Sequence, residues 1–184
     1  MTRVVLKNVR LAFPDLFEAV QYKGTGPLKY RANFVMAPDS KAKADVDAAI
    51  LAAAVGEWNG KAKETLERLK AAERVCLIDG NTKTYNGYSG NFVLTATRNP
   101  KDGKPAIVNR NPKVPVTAED GIFYAGCEVN AVVDIWAHDS FKGGVRSTLV
   151  TVQFVKDNDS FGGAAPATAD GVDDLSFDDD ESVI

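Results

Sequence analysis

The sequence predicts a mainly β domain: a small β-barrel with one helical insertion, followed by a disordered C-terminal tail. Three observations lead there. Apolar and polar residues alternate with period two in several short segments separated by Gly- and Pro-containing turns. One alanine-rich stretch breaks that period and adopts helical spacing. Residues 157–184 then carry 9 of the 25 acidic side chains and none of the 22 basic ones, with no amphipathic period at all.

The elements follow in order. Residues 2–13 read as a first strand, with Val4, Leu6 and Val9 set among polar positions; Pro14 and Asp15 interrupt it, and residues 21–28 form a loop around Gly24, Gly26 and Pro27. In residues 30–37, Tyr30, Ala32, Phe34 and Met36 share one face of a strand that Pro38 ends. Asp39 or Ser40 can cap a helix whose inner face is Val46, Ile50 and Ala53/Ala54. Asn59-Gly60 breaks it, and residues 62–73 make a second amphipathic helix with Leu66 and Leu69 buried. From Val75 the period is two again. Residues 91–98 place Phe92, Leu94 and Ala96 on one side, the turn 99–103 follows, and residues 106–110 give a short strand. Residues 128–137 and 145–155 are the longest strand candidates, joined through residues 138–144 as a hairpin. Strands with one helical insertion fit an OB-fold-like barrel, a five-stranded architecture whose strand face and loops take oligonucleotides and oligosaccharides. The folded domain is expected to occupy residues 1–156 and the tail residues 157–184.

The chain has 184 residues and is 45% apolar, enough for one domain of roughly 150 residues with a sizeable core. No apolar run approaches a membrane span and the N-terminus lacks a signal-peptide core, so the expected compartment is cytoplasmic and no membrane partner is expected. Cys76 and Cys127 form no CxxC pair and, with His138 as the single histidine, read as structural thiols; no metal and no cofactor is expected. There is no phosphate-cradling glycine loop, no HExxH and no nucleophile elbow, so the chain does not read as an enzyme. Asp134 and Asp139, either side of Trp136, are the only pair that suggests a nuclease centre; solvated edge carboxylates are the simpler reading.

The formal net charge of −3 conceals a division: residues 1–156 hold 22 basic and 16 acidic side chains, a net +6, whereas residues 157–184 total −9. A cationic body with an anionic tail points to a nucleic-acid partner. Binding a single strand without regard to sequence needs cations that follow phosphates and flat rings on which bases stack. Lys83, Tyr85 and Tyr88 stand together in a Gly-rich loop; Arg98, Lys101, Lys104, Arg110 and Lys113 lie on strand ends or loops. The two tyrosines could equally cover the barrel end. Trp136 falls on the strand face opposite Val129, Ala131, Val133 and Ile135, either covered by the insertion or exposed for stacking; Phe141, Lys142 and Arg146 could extend the same surface. In the tail, Asp173, Asp174, Leu175, Phe177, Asp178, Asp179, Asp180 and Glu181 set an apolar anchor among carboxylates. Such a peptide could dock on a basic pocket or compete with DNA for the cationic groove.

Beyond these chemical patterns, LIDGN at 77–81, GYSGNFVLTA at 87–96, IVNRN at 107–111, FYAGC at 123–127 and VQFVKDNDSFGG at 152–163 together resemble the phage single-stranded DNA-binding proteins. The YRANFVMAP strand at 30–38 and the helix after it fit as well, so the resemblance covers nearly the whole body. It implies an OB-fold, non-specific coating of single-stranded DNA, and a role in phage DNA replication or recombination within the infected bacterium. The tail is similar to those by which such proteins recruit a polymerase, helicase or primase, but its Phe177 is internal and the last residue is Ile184. A homo-oligomer is compatible with all of this. The alternatives are a strand-annealing recombination protein and a phage adaptor or assembly protein that acts by protein binding only.

Overall fold

The computed structural model describes residues 1–162. The strands are β1 (Thr2–Tyr22), β2 (Thr25–Met36), β3 (Leu77–Asp79), β4 (Phe92–Arg98), β5 (Ala106–Val108), β6 (Glu128–His138) and β7 (Gly144–Lys156); helices α1 (Lys41–Trp58) and α2 (Ala62–Ala71) form the insertion between β2 and β3. The sheet order is β3-β4-β2-β1-β6-β7-β5, and a parallel pairing of Thr97 with Thr148 joins β4 to β7. That joint closes β4, β2, β1, β6 and β7 into the five-stranded barrel that the strand pattern predicts.

Alternation fills the interior. Ala32, Phe34 and Met36 from β2, Leu94 and Ala96 from β4, and Val129, Ala131, Val133 and Ile135 from β6 are all buried in one core. Helix α1 begins where Ser40 accepts the Lys43 amide at 3.2 Å, and it adds Val46, Ala49, Ile50, Ala53 and Ala54 to that core. Asn59 takes a left-handed φ of 50° at the break, after which α2 contributes Leu66 and Leu69. No helix among the described residues is long and apolar enough to cross a membrane. Cys76 and Cys127 are buried and unpaired, and burial pushes the Cys76 thiol up to about 12.

The first strand departs from expectation. β1 does not stop at Phe13; it continues through Pro14 to Tyr22, and β2 starts at Thr25, so the expected 21–28 loop contracts to a tight hairpin. Two irregularities make this workable. Between Leu6 and Val9 the pairing with β6 shifts register, with Asn8 at φ 54° and its amide on Asn130 Oδ1 at 3.0 Å. This shift is why Leu6 and Val9, three apart, can both face inward. A second shift between Ala12 and Asp15 absorbs Pro14, which has no N–H to give to a ladder.

The carboxylate pair also needs correction. Asp134 is not a solvated edge residue: it is 8% exposed and forms a two-pronged pair with Arg3, Nε to Oδ1 at 2.8 Å and Nη2 to Oδ2 at 2.9 Å. The Arg3 hydrogen bonds hold its carboxyl below the ordinary carboxylate range. Asp139 is separate from it and accepts the Trp58 indole N–H at 3.2 Å.

The β pattern does end at Lys156, but the chain does not leave the barrel there. Residues 157–161 pack back onto it.

Candidate nucleic-acid interface

The barrel's outer surface carries an open groove of about 840 Å³ across β1, β2, β4 and β7. Its floor is polar: Asn33, Thr95 and Thr97 take the outward positions of strands whose alternate residues fill the core, and buried Ser147 borders it beside Arg146. Five cations line it, Lys23, Lys29, Arg31, Lys83 and Arg146, against two carboxylates, Asp15 and Glu73. Glu73 lies 3.7 Å from Lys83 Nζ. Burial pushes the Asp15 carboxyl up, with Arg31 pulling the other way.

Three exposed rings stand along the groove. Tyr22, at the β1–β2 hairpin, is 54% exposed, and the Arg31 guanidinium lies 4.8 Å from its ring centroid, with Lys23 Nζ at 5.3 Å. Phe13 and Tyr85 are 47% and 46% exposed and meet edge to face at 4.8 Å. Phe13 owes its position to the second register shift: at φ 47° it leaves the strand's alternation and turns its ring outward.

Tyr85 belongs to a loop that closes on itself. The Gly80 amide donates to Asn91 O, the Gly90 amide to Asn81 Oδ1, the Tyr88 amide to Tyr85 O, and Asn91 Nδ2 to Gly87 O. Gly80 is required there because a Cβ would stand 2.1 Å from the Tyr88 carbonyl oxygen. The LIDGN and GYSGN segments are the two halves of this loop, and their small and amide residues build its frame.

Of the residues singled out from sequence, the structure brings Lys83, Tyr85, Tyr88 and Arg146 into this groove. Tyr88 does not present a ring to it. It is 1% exposed, its hydroxyl accepts from Asn33 Nδ2 at 2.8 Å, and burial pushes its phenol up. With Ala12, Val35 and Val93 it forms a second apolar cluster, on which Tyr85 rests at 5.3 Å. Arg98 is occupied: its guanidinium donates to the carbonyls of Asp102, Gly103 and Leu149 and so holds the β4–β5 turn. Trp136 is half-buried on the outer face of β6, paired across the strands with Arg146, and its indole N–H donates to Thr148 Oγ1 at 3.0 Å. Its cross-strand partner Arg146 belongs to the groove lining, and its ring lies 5.4 Å from that of His138. Phe141 is 90% exposed at the β6–β7 tip next to Lys142, where Arg74 and Arg68 hold the backbone carbonyls. Lys101, Lys104, Arg110 and Lys113 are exposed on the loops flanking β5 and are not among the groove's lining residues. Asp173, Asp174, Leu175, Phe177, Asp178, Asp179, Asp180 and Glu181 lie outside the described residues.

Sequence reasoning missed Phe13, Tyr22, Lys23, Lys29 and Arg31. The signal for four of them is present: Tyr22-Lys23 and Lys29-Tyr30-Arg31 interleave rings and cations across a hairpin. For Phe13 there is none, because strand parity would place it by its neighbours and a bulge re-aims it.

The family model described as "Enterobacter phage Enc34, ssDNA-binding protein" matches residues 2–183. A protein designated p50 of Acyrthosiphon pisum secondary endosymbiont phage 1 is 39% identical over 188 residues, covering 99% of this chain and 98% of that protein. Among solved structures, the single-stranded DNA-binding protein from bacteriophage Enc34 in complex with ssDNA superposes with a TM-score of 0.72 at 21% identity, over 87% of this chain and 89% of that one. The single-stranded DNA binding protein gp2.5 of bacteriophage T7 gives a TM-score of 0.54 at 14% identity, over 96% and 98%.

Proposed function

The chain belongs to the family of the Enterobacter phage Enc34 ssDNA-binding protein, and on that basis we propose that it coats single-stranded DNA without regard to sequence during phage DNA replication or recombination. The supporting observation is one groove that combines five cations with three exposed rings. In this reading Lys23, Lys29, Arg31, Lys83 and Arg146 follow the phosphates. Phe13, Tyr22 and Tyr85 offer faces to bases, each stacked base contributing about 1–3 kcal/mol. Trp136, Phe141, Lys142 and the cations of the β5 loops extend the path for longer strands.

The test is a gel-shift titration of oligothymidine against duplex DNA at several salt concentrations. If the five groove cations each neutralise one phosphate, log K falls against log salt with a slope near about −3.5 for single strands. A flat response, or equal affinity for duplex, sinks the groove as the binding site. No affinity for oligothymidine at any salt leaves the protein-binding adaptor as the better reading.

The anionic tail acts in this proposal as a mimic of DNA that competes for the groove and recruits replication proteins. Truncation after Gly162 removes seven carboxylates and leaves the described body whole. It is expected to tighten oligothymidine binding severalfold to about tenfold at low salt, with the gain fading as salt rises. Unchanged affinity at low salt removes the competition from the mechanism.

A further inference from the structure

Past β7, the segment 157–161 is seated on the barrel by contacts from several elements. The Asn158 amide donates to the Tyr124 hydroxyl at 3.0 Å, and Asn158 Nδ2 to Glu128 Oε1 at 2.9 Å. Arg10 donates through Nε to Gly126 O at 3.0 Å and through Nη2 to Asp159 O, while its guanidinium lies 4.2 Å from the Phe161 ring centroid. The Phe161 amide donates to Ala125 O at 2.9 Å, and Asn86 Nδ2 donates to Phe161 O at 2.6 Å.

Two glycines hollow the seat. A Cβ on Gly87 (φ +83°) would stand 2.4 Å from Phe161 Cε1, and one on Gly126 (φ +112°) would stand 2.2 Å from Asp159 O. Thus the GYSGN and FYAGC segments, far apart in sequence, meet around this one turn of chain. Phe161 packs against the cluster of Ala12, Val35, Tyr88 and Val93. Tyr85 rests on Tyr88 of that cluster and on Phe13. Phe161 therefore holds the loop carrying Tyr85 by its ring, at Gly87, and by its carbonyl, at Asn86.

We infer that Phe161 is a positioning residue for strand capture, an inference that rests on the single-stranded DNA-binding reading above. It does not line the groove and acts through the loop, keeping the Tyr85 ring against Phe13 where a base can stack. Left without this latch, the loop samples other arrangements, and a stacking surface that must be ordered on binding gives a weaker complex.

The test is a double-mutant cycle on oligothymidine affinity in the full chain. Phe161→Ala is expected to weaken binding about tenfold, the order of one stacking contact. In a Tyr85→Ala background the same change is expected to cost less than about twofold, since the ring it positions is gone. Phe161→Leu, which refills the seat without the ring, should recover most of the affinity. Binding is read well below the melting temperatures of all variants, so that a loss of fold cannot stand in for a loss of position. If Phe161→Ala leaves affinity unchanged, or costs as much without Tyr85 as with it, the inference is wrong. A parent chain that ignores oligothymidine sinks the functional reading instead. A parent that binds and is weakened by Tyr85→Ala, yet is indifferent to Phe161→Ala, sinks the inference alone. Truncation after Lys156 should gain less affinity than truncation after Gly162, because the first cut removes the latch along with the charge.

Discussion

Tyr88→Ala is expected to cost about 3–5 kcal/mol of folding stability, a fall in melting temperature of roughly 10 °C for a domain of this size. Tyr88 is 1% exposed and fills the second apolar cluster between Val35, Val93 and Phe161. Removing the ring leaves a cavity that the flanking strands, locked in the barrel ladder, cannot close. It also takes away the acceptor of Asn33 Nδ2. Tyr88→Phe isolates that second loss and is expected to cost about 1 kcal/mol. Thermal melts of the three proteins check both values. A Tyr88→Ala protein that melts like the parent but binds DNA poorly would return Tyr88 to the role of a stacking ring.

Tyr85→Ala is expected to do the opposite: about a tenfold loss of oligothymidine affinity, with stability lowered by no more than about 1 kcal/mol. The ring is 46% exposed, and its contacts within the fold are edge-to-face meetings with Phe13 and Tyr88 at 4.8 and 5.3 Å, which leave surface free for a base. Truncating it removes a stacking partner and one wall of the groove, while the hydrogen bonds that frame the loop run through the backbone and through Asn81 and Asn91. Fluorescence or gel-shift titration beside a melt separates the outcomes. A strong drop in melting temperature with unchanged affinity would make Tyr85 a structural residue and move the stacking surface to Phe13 and Tyr22. The two tyrosines lie three residues apart in one Gly-rich loop, yet they are predicted to fail in different assays.

That contrast shows where reading residues in order succeeds. Alternation in 30–37, 91–98 and 128–137 identified inward positions correctly, because a strand buried on one face must place every second side chain in the core. The helical insertion, a cap at Asp39 or Ser40 and the break at Asn59 were legible for the same reason, capping and periodicity being local chemistry; the structure chooses Ser40. The charge division between body and tail is a matter of counting and needs no coordinates. Tyr85, Lys83 and Arg146 were legible as candidates by residue type, but Tyr88 and Arg98 carry the same credentials, and the fold buries the one and bonds the other to backbone carbonyls.

Period, caps and charge thus settled that this chain is a cationic β domain with one helical insertion and an acidic extension, since each depends on near neighbours or on composition. Closure of the barrel through Thr97 and Thr148, the outward turn of Phe13, the convergence of Tyr22, Arg31 and Lys83 on one groove, and the seating of Phe161 between Gly87 and Gly126 came only from the fold. Those features arise from register shifts and from contacts between residues tens to more than a hundred positions apart. Only packing decides which way a bulge aims a ring or which distant glycine makes room for it.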